Sequence, residues 1–239
     1  MTGNTLMRAP TCSVQCIFLI ASIVLTHSAN AHHGVDFISV QTAHVPEQGT
    51  GYALVRADYI SGDVRETEIE PALLYGVSNW MSAEVHAHIA RHGGESFEYE
   101  SIAPALNVRL TPSQGDFSAG FSVEYEFQRH SDEKNVMGLT LMGGYRVSNW
   151  MLAAHARMEK PSGADSEWEY AAGARRALNN QIAVGIEVNG SLETSDIDEW
   201  LLGFYGELSK KFTFNAGVGT GPDDKADWSL RTAFIWRFR

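Results

Sequence analysis

The run from Asp227 to Arg239 constrains the fold most. Trp228, Leu230, Phe234, Trp236 and Phe238 occupy every second position, interrupted only by Thr232, while Ser229, Arg231 and Arg237 fall between them. Successive side chains on a β-strand point to opposite faces, so this segment has one greasy face and one wetter face. Two folds accommodate such a strand. It can line the edge of a soluble sandwich, or it can stand in a barrel wall with its apolar face against lipid.

The other end of the chain favours the second. Residues 1–31 carry one basic residue, Arg8, and no acid, followed by an apolar run from Cys16 to Leu25 and a small-x-small site at Ala29-Asn30-Ala31. This is the pattern of a cleaved secretory signal peptide, and its apolar core is too short to cross a bilayer as a helix. The expected mature chain starts at His32. Cys12 and Cys16 both fall in the leader, so no disulfide is expected after cleavage. No later stretch approaches the roughly 18 apolar residues of a membrane helix. A mature chain that enters a membrane must do so as strands.

Charge and composition agree. The formal net charge is −11. Removing Arg8 makes it one unit more negative, which argues against nucleic acid as a partner. A mean hydropathy of −0.18 is odd for a helical membrane protein and ordinary for a barrel, where half of each strand faces a polar lumen.

The alternation recurs along the chain. From Phe117 to Phe127 the residues Phe117, Ala119, Phe121, Val123, Tyr125 and Phe127 share one face, opposed by Ser118, Gly120, Ser122, Glu124 and Glu126. Ile182, Val184, Ile186 and Val188 repeat the pattern, as do Trp200, Leu202, Phe204 and Leu208, and then Phe212, Phe214, Ala216 and Val218. A heptapeptide is also repeated. Tyr75-Gly76-Val77-Ser78-Asn79-Trp80-Met81 returns as Tyr145-Arg146-Val147-Ser148-Asn149-Trp150-Met151, a spacing that reads as two hairpins. Short connections at Ser78-Asn79, Pro112-Ser113-Gln114, Ser148-Asn149, Asn179-Asn180 and Lys210-Lys211 alternate with longer, mostly acidic ones at 61–66, 92–98, 129–135, 159–167, 190–199 and 220–227. Transmembrane barrels segregate short and long connections in this way. The six tryptophans fall near predicted strand ends, where interfacial girdles form. The fold expected is all-β: a single antiparallel up-and-down transmembrane β-barrel of about 12 strands over residues 51–239. Residues 32–50 precede it as a periplasmic or plug segment, with Pro46 and Gly49 marking a bend.

Function is sought on the inward face. Its charged residues include Arg109, Glu124, Glu126, Arg146, Arg175, Glu187, Glu207 and Arg231, with Arg56 and Asp58. They either pair and seal the lumen or line a path for a solute. Gly120, Ala183, Gly185 and Gly217 are small inward residues that leave space for such a path. Glu84, His86 and His88 lie two apart on one strand face, and two imidazoles with a carboxylate suit a transition metal. His32, His33, Asp36 and His44 form a second group of candidate ligands near the mature N-terminus. No catalytic constellation appears: His130-Ser131 are adjacent and point both ways, and no phosphate-binding glycine loop, HExxH or CxxC is present after residue 31. Neither enzyme activity nor a cofactor is expected.

With leader, alternating strands and repeated turns in place, the chain resembles small Gram-negative outer-membrane barrels. In that class the last residue is usually aromatic; here Phe238 stands one place early. The Tyr-x-Val-Ser-Asn-Trp turns at Tyr75–Trp80 and Tyr145–Trp150 resemble those of transporters grouped with the MetA-pathway phenol-degradation proteins. The resemblance implies a location in the outer membrane, contact with its lipid and assembly machinery, and passage of a small, organic solute. A non-conducting structural or metal-binding barrel, using the lumen and N-terminal histidines, is the alternative reading.

Overall fold

The computed structural model describes residues 35–62, 65–130, 133–221 and 228–239. The expected leader with its cleavage site, His32 and His33, Ser131, and parts of three long connections lie outside the described residues.

Twelve strands follow one another in chain order. They are β1 (Gly51–Ser61), β2 (Glu66–Ser78), β3 (Met81–His92), β4 (Glu98–Arg109), β5 (Phe117–Gln128), β6 (Val136–Val147), β7 (Trp150–Pro161), β8 (Glu167–Ala177), β9 (Ile182–Ser191), β10 (Ile197–Ser209), β11 (Phe212–Thr220) and β12 (Trp228–Phe238). Each pairs antiparallel with its sequence neighbours, and β12 returns to β1, so the sheet closes on itself without an edge. Closure satisfies every ladder, which is the condition for strands to stand in hydrocarbon. At 9 to 13 residues, the strands have the length needed to cross a bilayer at a tilt. No helix among the described residues is long and apolar enough to cross a membrane.

The faces divide as the alternation requires. Val123, Tyr125, Phe127, Ile186, Leu202, Phe204, Phe234 and Trp236 are exposed on the outside, whereas Ser122, Glu124, Glu187, Leu201 and Ile235 are buried inside. In soluble protein so continuous an exposed apolar surface would be an aggregation liability; here it is the lipid-facing band. Tryptophans mark both rims. Trp80, Trp150 and Trp236 lie at the end bearing the short turns, and Trp168, Trp200 and Trp228 near the end bearing the longer loops.

The seam between β1 and β12 explains why Gly51 begins the barrel. Gly51 stands opposite Phe238, and a Cβ there would come within 2.5 Å of the phenyl ring. The turn between β6 and β7 needs only Ser148 and Asn149, with Ser148 in the left-handed region at φ 54°. Its counterpart between β4 and β5 is longer than Pro112-Ser113-Gln114 alone suggests, running over residues 110–116. Proline at 112 and glycine at 115 stop both strands early.

Candidate functional site: the occupied lumen

Residues 35–46 lie inside the barrel, and 47–50 turn at its mouth. Phe37, Ile38, Ser39, Val40, Gln41, Thr42, Ala43 and Val45 are all buried, although none belongs to a strand. A segment without a ladder must find other partners for its backbone amides, and it finds them on inward side chains. The Glu187 carboxylate accepts from the N–H groups of Ile38 (2.8 Å), Ser39 (2.6 Å) and Val40 (2.9 Å), and from the Tyr205 hydroxyl. Two strands away on the same side of the barrel, Nδ1 of His155 accepts from the Gln41 amide at 2.9 Å. Glu187 and His155 sit midway along β9 and β7, so the tip of the segment reaches the middle of the barrel.

Apolar contact supplies the rest. Phe37, Ile38 and Val40 pack in one cluster with Met151, Ala153, Ala171, Leu201 and Tyr205. Phe37 meets the Tyr205 ring edge-on at a centroid distance of 5.9 Å, and the Arg175 guanidinium lies 5.4 Å from the Phe37 ring. Arg175 also pairs with Asp36, Nη2 to Oδ1 at 3.0 Å. Three glycines on different strands make room. A Cβ on Gly173 would come within 2.9 Å of Phe37, one on Gly120 within 2.9 Å of Ala43, and one on Gly217 within 2.8 Å of Ile38. The space that the small inward residues Gly120 and Gly217 leave is therefore occupied by the chain itself, not by an open path.

The segment leaves the lumen where it entered, at the short-turn end. Gly49 donates to the Gly76 carbonyl and Gly76 to the Thr50 carbonyl, both at 2.9 Å. Nε2 of His44 lies 3.1 Å from the Tyr52 hydroxyl, and its Nδ1 lies 3.8 Å from Asp36. Burial, opposed by Asp36 and reinforced by Arg237, Arg146 and Arg109, holds the His44 imidazole below its ordinary pKa. Below the segment opens a vestibule of about 450 Å³, whose lining includes Arg146, Arg175, Lys210, Lys211, Arg237 and Glu207.

Nearer the long loops paired charges crowd the lumen. Arg157 bridges Glu124 and Glu159, each at 2.8 Å. Arg56 holds Asp58 at 2.6 Å, and Arg231 reaches both Asp58 (3.0 Å) and Glu199 (2.9 Å). Ser101 donates to Glu126. The residues named from sequence as lumen-lining thus divide by depth. Glu124, Glu126 and Arg231 belong to the charged layer, Glu187 and Arg175 hold the segment, and Arg146 and Glu207 rim the vestibule. Arg109 donates to the Asn79 carbonyl beside a short turn.

His86 and His88 share the inward face of β3 with their rings 5.2 Å apart. Glu84 lies 3.6 Å from Nδ1 of His86, and Glu68 lies 2.8 Å from Nδ1 of His88. The carboxylate whose donor atom stands with both imidazoles within 4.8 Å is Glu70 of β2. His44 is not part of this group; it lies at the other end of the lumen.

These observations define a twelve-stranded transmembrane β-barrel with a filled lumen. No protein-family model matches the chain, and no curated protein does. Among solved structures it is similar to the KdgM porin, at 13% identity and a TM-score of 0.60, covering 79% of this chain and 99% of that one. It is similar also to an outer-membrane channel from Pseudomonas putida F1, at 11% identity and a TM-score of 0.64, covering 87% and 100%. For the NanC porin the values are 12%, 0.54, 77% and 98%. At such identities the likeness establishes the fold, which is that of outer-membrane barrels.

Proposed function

We propose that the protein is an outer-membrane channel for a small solute, closed at rest by its own residues 35–46, with the charged layer nearer the long loops as its constriction. The observation that carries this reading is the grip of Glu187 on three consecutive backbone amides of a segment that no strand pairs with. A barrel needing only a solid core could fill it with wall side chains. A segment tethered at one end, entering and leaving by the same mouth, can instead undock without disturbing the wall.

In this reading the chain is exported by its leader, delivered to the assembly machinery and embedded in lipid with its short turns in the periplasm. The solved KdgM porin includes a complex with disordered oligogalacturonate. Here Arg146, Arg175, Arg237, Lys210 and Lys211 around the vestibule favour a solute carrying negative charge. An aromatic or other small organic acid fits that electrostatics, and the repeated Tyr-x-Val-Ser-Asn-Trp turns support placement beside the phenol-degradation-type transporters.

Liposome swelling tests the reading. Barrels lacking residues 35–47 are expected to admit gluconate faster than sorbitol, a neutral solute of similar size. Entry of neither would refute the channel, and faster entry of sorbitol would refute the anionic preference.

A further inference from the structure

We propose that Glu70, His86 and His88 form a binding site for a divalent transition metal of zinc-like preference in the half of the lumen nearer the long loops. Each side chain offers one donor atom, and the three lie within 4.8 Å of one another. Two imidazoles and a carboxylate form a borderline-soft, negatively charged set, suited to zinc and poorly suited to magnesium or calcium. Donors around a tetrahedral zinc ion stand roughly 3.3–3.5 Å apart, so the side chains must close by up to about 1.5 Å, a movement that χ rotations supply.

Backbone register holds these residues together. Ile69 stands opposite Ile89 and Ala72 opposite His86, which places Glu70 across the ladder from His88 on the inward face. His86 is two residues along the same face, its ring nearly perpendicular to that of His88 at 75°. The imidazoles are also oriented from behind. Glu68 holds Nδ1 of His88 at 2.8 Å, and a carboxylate on one ring nitrogen leaves the other as the donor. Glu84, held by Asn107 at 2.8 Å, stands 3.6 Å from Nδ1 of His86, close enough to take the outer position when the ring shifts onto a metal. Glu124 is 3.8 Å from Nε2 of His86 and is held by Arg157, and Arg56 stands 4.0 Å from Glu70, so a metal at this site draws Glu70 from a neighbouring guanidinium. Glu84, the carboxylate that shares a strand with the histidines, thereby becomes a supporting residue, and the ligand comes from the neighbouring strand.

The site is independent of whether the barrel conducts, because it requires only the walls of β2 and β3. The test is calorimetric titration of the folded, full-length mature protein in detergent with Zn²⁺ alone, in a background where His32 and His33 are replaced by Gln. One ion per chain is expected. His86→Ala and His88→Ala should each lower affinity by more than about a hundredfold, Glu70→Ala comparably, and Glu84→Gln by about tenfold. Heat-modifiable migration reports that each variant is folded. If the histidine variants do not fold, X-ray absorption of the zinc-loaded background protein decides, with two imidazole nitrogens expected at about 2.0–2.1 Å. Absence of stoichiometric binding, a shell without two imidazoles, or binding indifferent to both histidines would overturn the site. A larger loss from Glu84→Gln than from Glu70→Ala would overturn the assignment of Glu70.

Discussion

Replacing Glu187 with alanine is expected to release the lumen segment while leaving the barrel closed. The carboxylate accepts hydrogen bonds from Ile38, Ser39, Val40 and Tyr205 in a buried site. Its removal strands three amides that have no strand partner. Losing one member of a buried, charge-assisted network costs roughly 3–5 kcal/mol, which shifts the docking equilibrium at least a hundredfold. Hydrogen exchange should show this as lost protection confined to residues 38–40 and their neighbours, with strand amides unchanged. Glu187→Gln keeps the shape and one acceptor, so it should fall between the two. Protection undiminished in the alanine variant would mean that apolar packing by Phe37 and Ile38 alone holds the segment.

The second large effect lies on the other side of the same wall. Ile186 is about half exposed to the outside, one residue from buried Glu187, and Phe121 occupies the equivalent outward face of β5. Ile186→Lys or Phe121→Lys should destabilise the barrel in lipid by about 2–4 kcal/mol near the midplane. Inward Ser122→Ala should cost less than about 1 kcal/mol. Denaturant titration of protein folded into vesicles measures all three. Equal losses at Phe121 and Ser122 would mean that the apolar face does not meet lipid.

The outward face was legible because lipid imposes one rule on every strand, and period-two alternation is its direct trace. Phe121, Ile186 and Trp236 needed no structural information to be placed. Strand number followed from the turns, since Ser148-Asn149 and Lys210-Lys211 each break an otherwise continuous alternation. The lumen obeys no such rule. Glu187 reads from sequence as one more inward charge, because nothing local says that its partners are amides almost 150 positions away. Glu70 was invisible as a partner of His88 for a related reason: sequence reveals which face a residue takes, and only the register between β2 and β3 reveals what stands opposite. Gly120 and Gly217 look like gaps in a wall until Ala43 and Ile38 are placed against them. Residues 35–45 are apolar enough to imitate a strand, and only the absence of a free sheet edge sends them into the lumen.

The proposed closure of a channel by residues 35–46 is tested most directly by planar-bilayer recording of the full mature chain beside one lacking residues 35–47. Deletion removes no strand and should leave the β1–β12 seam intact. The intact protein is expected to be closed for most of the record with rare openings, and the deleted one to hold a steady open conductance. Equal, steady conductance from both would contradict the account, as would a deleted barrel that inserts and passes no current.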